Sequence, residues 1–412
     1  MTEVTIGALR PYQDRGWPTV SAIIDVAGHR HHIFFRASQG PLAAGPEPFI
    51  AVALLPAMKL GLPLRVDGAV TPRFLAHTRR VQEILCSWLT DLHAVHIECG
   101  RRADVAVLPA PGVASLFSGG VDSFFTVYKH IDEITHLVFV HGFDILLANA
   151  PLRKKVSAAI HRAAAELRKP VIEMETNVRD VLDPYAPWPT HTVGSALVSI
   201  GLLLSPQIGT LYVAGGFDYN HPSMVSNDPL VVQTWSAPET EIVDDGREAT
   251  RYEKIARLAE SDTAMRYLRV CWENRNGAYN CGQCPKCLHT MIFLELSGAL
   301  QRCQTFDRPL DLDLVRRTVP VAPGDWGYER EALALVESRG DHADLAQALR
   351  ASLEQSPSWA DTQTPHVACK QGRLMELEAK LYQVTSSRSW RFTAPLRSIS
   401  EAWRSARGRD KR

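Results

Sequence analysis

The sequence predicts an α/β protein built on a doubly wound parallel sheet, and three observations carry that prediction. From Val113 onward, short apolar runs alternate with helical stretches. A glycine turn, SGGVDS, sits at the first strand-to-helix junction, and four cysteines crowd together where the alternation ends. The expected organisation is a β-rich N-terminal domain over 1–110, the parallel-sheet domain over 111–300, a helical extension over 301–372 and an amphipathic, basic tail over 373–412.

In chain order, VSAIIDVA and HHIFFRAS read as strands, whereas FIAVALLPAMKLG and RFLAHTRRVQEILCSWLTDL space their apolar residues as helices do. LPAPGV, with two prolines and a glycine, marks a boundary. Beyond it VASLF is a strand, SFFTVYKHI a helix, HLVFVHGF a strand and LRKKVSAAIHRAAAELRK a helix. PVIEMET, the apolar helix around GSALVSIGLLL, and TLYVAGGF continue the series. Such alternation means parallel strands joined by crossover helices, and ligands of such sheets sit beyond the carboxyl ends of the strands. After Gly298 the chain is charged and helical in pattern, without a chemical motif.

A chain of 412 residues can bury more than one core. Its 45 basic residues balance its 45 acidic ones, so no global field advertises nucleic acid or membrane as a partner. The start, MTEVTIGALRPYQ, lacks the charged and apolar regions of a signal peptide. The longest nearly apolar stretch, Val193 to Leu204, is too short to span a bilayer, so a cytoplasmic location is expected. Four of the eight cysteines fall within 271–287, which in a reducing compartment points to metal ligation rather than disulfides. Cys86, Cys99, Cys303 and Cys369 are scattered thiols.

SGGVDS, Ser118 to Ser123, joins an apolar strand to the first turn of a helix, where unpaired N–H groups and the positive helix end attract anions. Gly119 and Gly120 let the backbone approach a polyphosphate, Ser118 and Ser123 offer hydroxyl donors, and Asp122 suits a Mg²⁺ ion. No Walker-type lysine follows. The order strand, SGGxDS, helix, strand resembles the signature of the PP-loop ATP pyrophosphatases, whose fold is adenine-nucleotide alpha-hydrolase-like. The resemblance implies that Ser118, Gly119, Gly120, Val121, Asp122 and Ser123 bind the β and γ phosphates of ATP and hold the leaving pyrophosphate, with Asp122 and Ser123 at the chemistry. FVHGFD, ending at Asp144, and AGGFDYN, Ala214 to Asn220, fall where that family completes its nucleotide pocket. Gly215, Gly216 and Asp218 are therefore candidate contacts, with a plain aspartate-capped glycine turn as the alternative.

Cys271, Cys281, Cys284 and Cys287 follow the spacing C-x9-C-x2-C-x2-C. Four thiolates can surround one Zn²⁺ and leave it no water, which is a structural site; an Fe–S cluster takes the same ligands. The loop and this knot together, over about 113–300, resemble the 7-cyano-7-deazaguanine synthase family of the queuosine pathway, whose zinc knot lies beside the active site. Its members activate a carboxylate with ATP, admit ammonia to form an amide and can dehydrate the amide to a nitrile. The resemblance thus implies an adenylating ligase that forms C–N bonds with ATP, Mg²⁺ and Zn²⁺ on a small-molecule or carrier-borne substrate. A non-catalytic nucleotide-binding scaffold in a polysaccharide or defence complex is a second expectation, and a tRNA-modifying or sulfur-transfer enzyme a third. No broad basic face with interleaved aromatics supports nucleic acid outside the tail.

Between the glycine turn and the knot, His221, Ser223, Ser226, Asp228, Asp245, Arg247, Arg251 and Lys254 form a dense polar stretch. Arg251 and Lys254, three apart, would share one helix face and meet a phosphate or carboxylate; a solvated helix is the other reading. His191 and Thr192 are weaker candidates. In the tail, Leu374, Leu377, Leu381 and Val384 have the spacing of a short coiled coil, which makes a homodimer worth testing. Residues 385–412 carry eight basic and two acidic residues around Trp390, Phe392 and Trp403, a composition suited to peripheral contact with anionic lipid on the inner membrane face. SRSWRFTAPLR resembles a segment of bacterial surface-polysaccharide enzymes.

Overall fold

The computed structural model describes residues 3–103, 108–220, 224–318 and 323–355, apart from the side chains of 323–326. The chain divides into two compact units, Met1–Gln355 and Ser356–Arg412. The tail, with its expected coiled coil and lipid contact, lies outside the described residues, as do His221, Ser223 and Cys369.

One eleven-stranded sheet runs through the first unit, with helices packed against it. In the N-terminal part the strands are β1 (Val4–Ile6), β2 (Arg10–Asp14), β3 (Trp17–Val26), β4 (His29–Ala37), β5 (Leu64–Val70) and β6 (Ile97–Arg101), with helices α1 (Glu47–Leu60) and α2 (Pro72–Trp88) between them. The two strands and two helices expected there are present; β1, β2, β5 and β6 are additional.

From residue 112 the expected alternation appears as β7 (Gly112–Leu116), α3 (Val121–Lys129), β8 (His136–His141), α4 (Ala150–Glu166), β9 (Val171–Thr176), α5 (Arg179–Leu182), α6 (Val193–Leu204), β10 (Ile208–Ala214), α7 (Pro229–Val232) and β11 (Glu241–Asp245). After β11 the chain is helical: α8 (Arg251–Leu258), α9 (Asp262–Tyr267), α10 (Pro285–Leu296), α11 (Leu312–Arg317), α12 (Pro323–Arg339) and α13 (Ala343–Glu354). Strands β11, β10, β7, β8 and β9 are parallel neighbours in that order, so the order reverses at β7.

Alternation along these strands feeds two cores. Ala114, Val138, Leu211, Val213 and Ile242 point to one face, whereas Leu137, Phe139 and Tyr212 point to the other. On the first face lie α1 and α6, packed on each other and buried along most of their lengths. Six large apolar residues of α1 (Phe49, Ile50, Val52, Leu54, Leu55, Met58) are essentially inaccessible, which stabilises the unit by roughly 10 kcal/mol as an upper estimate. On the second face lie α3, α4, α8, α9 and α10.

The chain boundary near residue 110 does not divide the sheet. β4 pairs antiparallel with β9 through Phe35↔Thr176, Arg36↔Glu175 and Ala37↔Met174, and one core includes Phe35 and Phe49 together with Met174 and Leu203. At this seam Arg36 is ion-paired to both Asp14 and Glu175, and Arg153 of α4 reaches the other oxygen of Glu175. Among the described residues, no helix is long and apolar enough to cross a membrane.

A candidate anion loop beside a four-cysteine centre

All five parallel strands end at the same edge, so the loops after β7, β8, β10 and β11 gather there. The loop after β7 is SGGVDS. Gly119 has φ +74°, and a Cβ on it would lie 3.2 Å from Ile160 Cδ1, so backbone conformation and space both call for glycine. Gly120 is the N-cap of α3 and has no side chain with which to cap the helix, leaving first-turn N–H groups for an outside acceptor. Ser118 is exposed, whereas the Ser123 hydroxyl turns inward and donates to the Gly120 carbonyl at 3.0 Å.

Asp122 is the centre of charge. Its Oδ2 accepts from Arg251 Nη1 at 2.7 Å and its Oδ1 from Lys254 Nζ at 3.1 Å; Lys254 also donates to the Gly215 carbonyl at 2.7 Å. The two cations open α8, which follows β11 and is started by a Thr250–Glu253 capping box, so helix geometry brings both to one face. They are 8 % and 1 % exposed, which rules out the solvated-helix reading. Burial by itself would raise the Asp122 carboxyl. Arg251 and Lys254, with the more distant Lys286, outweigh it and hold the carboxyl far below its usual range. The carboxylate that the sequence suggests for Mg²⁺ therefore faces two cations, and its donor set does not fit a metal as it stands.

Gly215 and Gly216 follow β10 and adjoin this triad. A Cβ on Gly215 would lie 2.9 Å from Arg247 Cγ, so the glycine is required by close packing. Asp218 turns back on its own loop and accepts from the Asn220 amide at 2.7 Å, as an aspartate-capped turn does. Arg247 pairs with Asp244 at 2.6 Å, and Asp245 binds Thr126, Lys129 and His130, so these residues tie β11 to its neighbours. His191 is 3.3 Å from Asp91, and the buried Thr192 hydroxyl has no partner; neither joins the triad.

Four residues at this edge carried no sequence signal. Tyr328 of α12 donates to the Gly216 carbonyl at 3.0 Å, and its ring lies 5.2 Å from the Arg251 guanidinium. The Arg269 amide donates to the Gly119 carbonyl at 2.8 Å. Asn274 bonds Arg269, and Lys286 stands at the start of α10.

The sulfur atoms of Cys271, Cys281, Cys284 and Cys287 all lie within 4.8 Å of one another, and all four residues are buried. Cys271 and Cys284 are 4.0 Å apart, Cys281 and Cys287 3.9 Å. A tetrahedral ion with metal–sulfur bonds of about 2.3 Å sets its ligands about 3.8 Å apart, so the cluster fits a single ion such as zinc. A multi-iron cluster would hold its cysteines farther apart. Backbone amides of Gln283 and Cys284 point at Cys281 Sγ at 3.4 and 3.2 Å, and that of Asn274 at Cys271 Sγ at 3.3 Å. Thiol donors from Cys284 and Cys287 hold the Cys271 thiol far below its usual range, whereas the bond to Cys271 pushes Cys284 up to about 12. The remaining described cysteines, Cys86, Cys99 and Cys303, form no disulfide. The chain matches no family model, no curated protein and no solved structure.

Proposed function

We propose that β7–β11 and their helices form a doubly wound, adenine-nucleotide alpha-hydrolase-like unit, and that the chain is an ATP pyrophosphatase of the adenylating kind. It would activate a carboxylate or amide oxygen, release AMP and pyrophosphate, and form a C–N bond, in the manner of the 7-cyano-7-deazaguanine synthases. The observation that carries this reading is the pairing of a glycine anion loop with two buried cations held on Asp122 at the edge where the strand order reverses. A structural ion pair needs no uncapped helix start beside it, whereas a polyphosphate site needs both.

ATP supplies an electrophilic α-phosphorus and a leaving pyrophosphate. The amides of the first turn of α3 and the Ser118 hydroxyl would bind the phosphates, and Arg251 and Lys254 would neutralise charge on the departing group. Asp122 keeps both cations in place until that charge arrives. Mg²⁺ would compete with them for the same carboxylate, so no step is assigned to it. Zinc would be structural, since four sulfur ligands leave no open position.

The test is titration of the metal-loaded protein with ATP, followed by detection of AMP and pyrophosphate when a fractionated cell extract supplies acceptors. Extract-dependent formation of both supports the reading. ATP binding without cleavage in every fraction favours the scaffold, and the absence of ATP binding removes the proposal.

A further inference from the structure

We infer that Asn274 is a positioning residue through which the four-cysteine centre sets the shape of the anion loop. The inference rests on the cluster holding one metal ion, and it assigns to that ion a role in the loop as well as in the local fold.

The connection is short and continuous. Asn274 lies three residues after Cys271 and donates its amide to the Cys271 sulfur at 3.3 Å. Its Oδ1 accepts from Arg269 Nη2 at 2.6 Å, which closes the segment 269–274 on itself around Cys271. The Arg269 amide in turn donates to the Gly119 carbonyl at 2.8 Å, and a Cβ on Gly120 would lie 3.5 Å from the Arg269 carbonyl. The same Asn274 side chain donates from Nδ2 to the Asp144 carbonyl at 2.8 Å, and so ties in the loop after β8. One residue thus bonds a metal-ligand sulfur, the arginine behind the anion loop, and the neighbouring strand-end loop.

The details favour a fitted part over an incidental contact. Asn274 has φ 52°, a left-handed conformation that asparagine tolerates better than most residues. Arg269 is 4 % exposed and its Nε has no partner, so the bond to Asn274 is what fixes the guanidinium. A metal ion would fix Cys271 against Cys281, Cys284 and Cys287 and hold its sulfur as a thiolate, a stronger acceptor for the Asn274 amide. Loss of the ion would free Cys271, then Arg269, then the support beneath Gly119.

Hydrogen exchange on the full chain, with metal content measured in parallel, tests this. Asn274→Gly suits the left-handed backbone and keeps the amide bond to Cys271 while removing both side-chain bonds. In the wild type, removing the metal should speed exchange across 117–124 and at the Arg269 amide about tenfold, the change expected when one hydrogen bond is lost. Asn274→Gly should retain one metal per chain yet exchange at the faster rate with the metal bound. A variant that exchanges as the metal-loaded wild type does overturns the inference, as does a wild-type loop indifferent to metal removal. A chain that takes up no metal overturns both the metal reading and this one. Failure to bind ATP bears on the proposed function alone, because exchange is read without nucleotide.

Discussion

Asp122 and Glu175 each face two cations, yet they occupy different kinds of place. Glu175 lies within β9, where Arg36 of β4 and Arg153 of α4 close over it, and every group in the cluster is held by a strand or a long helix. Asp122 lies in the first turn of α3, with Arg251 and Lys254 across from it and glycine loops on either side. The first network joins two parts of a sheet. The second leaves its cations beside uncapped amides, where an incoming anion could share them. The same pairing of charges is a weld in one setting and a receiver in the other, and position relative to the strand ends decides which.

The largest test of this contrast is metal removal. Structural zinc contributes on the order of 10 kcal/mol in small knots, so a chelator should lower the melting temperature of the 113–300 region sharply in calorimetry, with metal loss confirmed by elemental analysis. An unchanged melting curve would remove the structural role. Next, Glu175→Gln should cost about 3–5 kcal/mol in denaturant unfolding, because it strands two arginines, while ATP affinity of the folded protein stays within about twofold, the scatter expected for distant sites.

Acid should act on the same seam. Burial would raise the carboxyl of neighbouring Glu173, but bonds from His141, His161 and Ser157 lower it to about 2. A depressed carboxyl contributes stability that is complete above its ordinary value of 4.5 and is lost as pH falls toward 2. Unfolding followed from pH 6 downward should therefore weaken between those values, and Glu173→Gln should flatten that dependence.

Asp122→Asn should lower pyrophosphate release by about 100-fold, as loss of one preorganised charge does, with the circular dichroism spectrum unchanged. Turnover retained in that variant, or lost in Glu175→Gln, would reverse the assignment of the two networks. The smallest effect is expected from Tyr328→Phe, which removes one hydrogen bond to Gly216 and should cost about 1 kcal/mol, read as weaker ATP binding with kcat little changed.

The anion loop and the cysteine ligands were legible because each is written in consecutive or closely spaced residues. The helix carrying Arg251 and Lys254 was legible as a helix, but its burial was not, since nothing nearby in the sequence reports that Asp122 comes to meet it. β11 escaped notice because EIVDD is short and half acidic, and β5 because LRVDGAV alternates over too few residues to stand out. The seam between β4 and β9 brings together Arg36 and Glu175, 139 residues apart, and no local pattern encodes such a pairing. Tyr328 lies in a helix with no motif at all, and only packing reveals its place.

The β4–β9 pairing also governs how the chain could be cut. A fragment beginning at residue 111 would leave the backbone N–H and C=O groups of β9 open along Phe35's former partners, and would strip α1 from the apolar face of α6. An open strand beside a bare apolar helix is a template for self-association. The first hundred residues therefore act as a built-in chaperone for the second half, and truncation at the sequence-level boundary should yield aggregate where the intact chain yields protein.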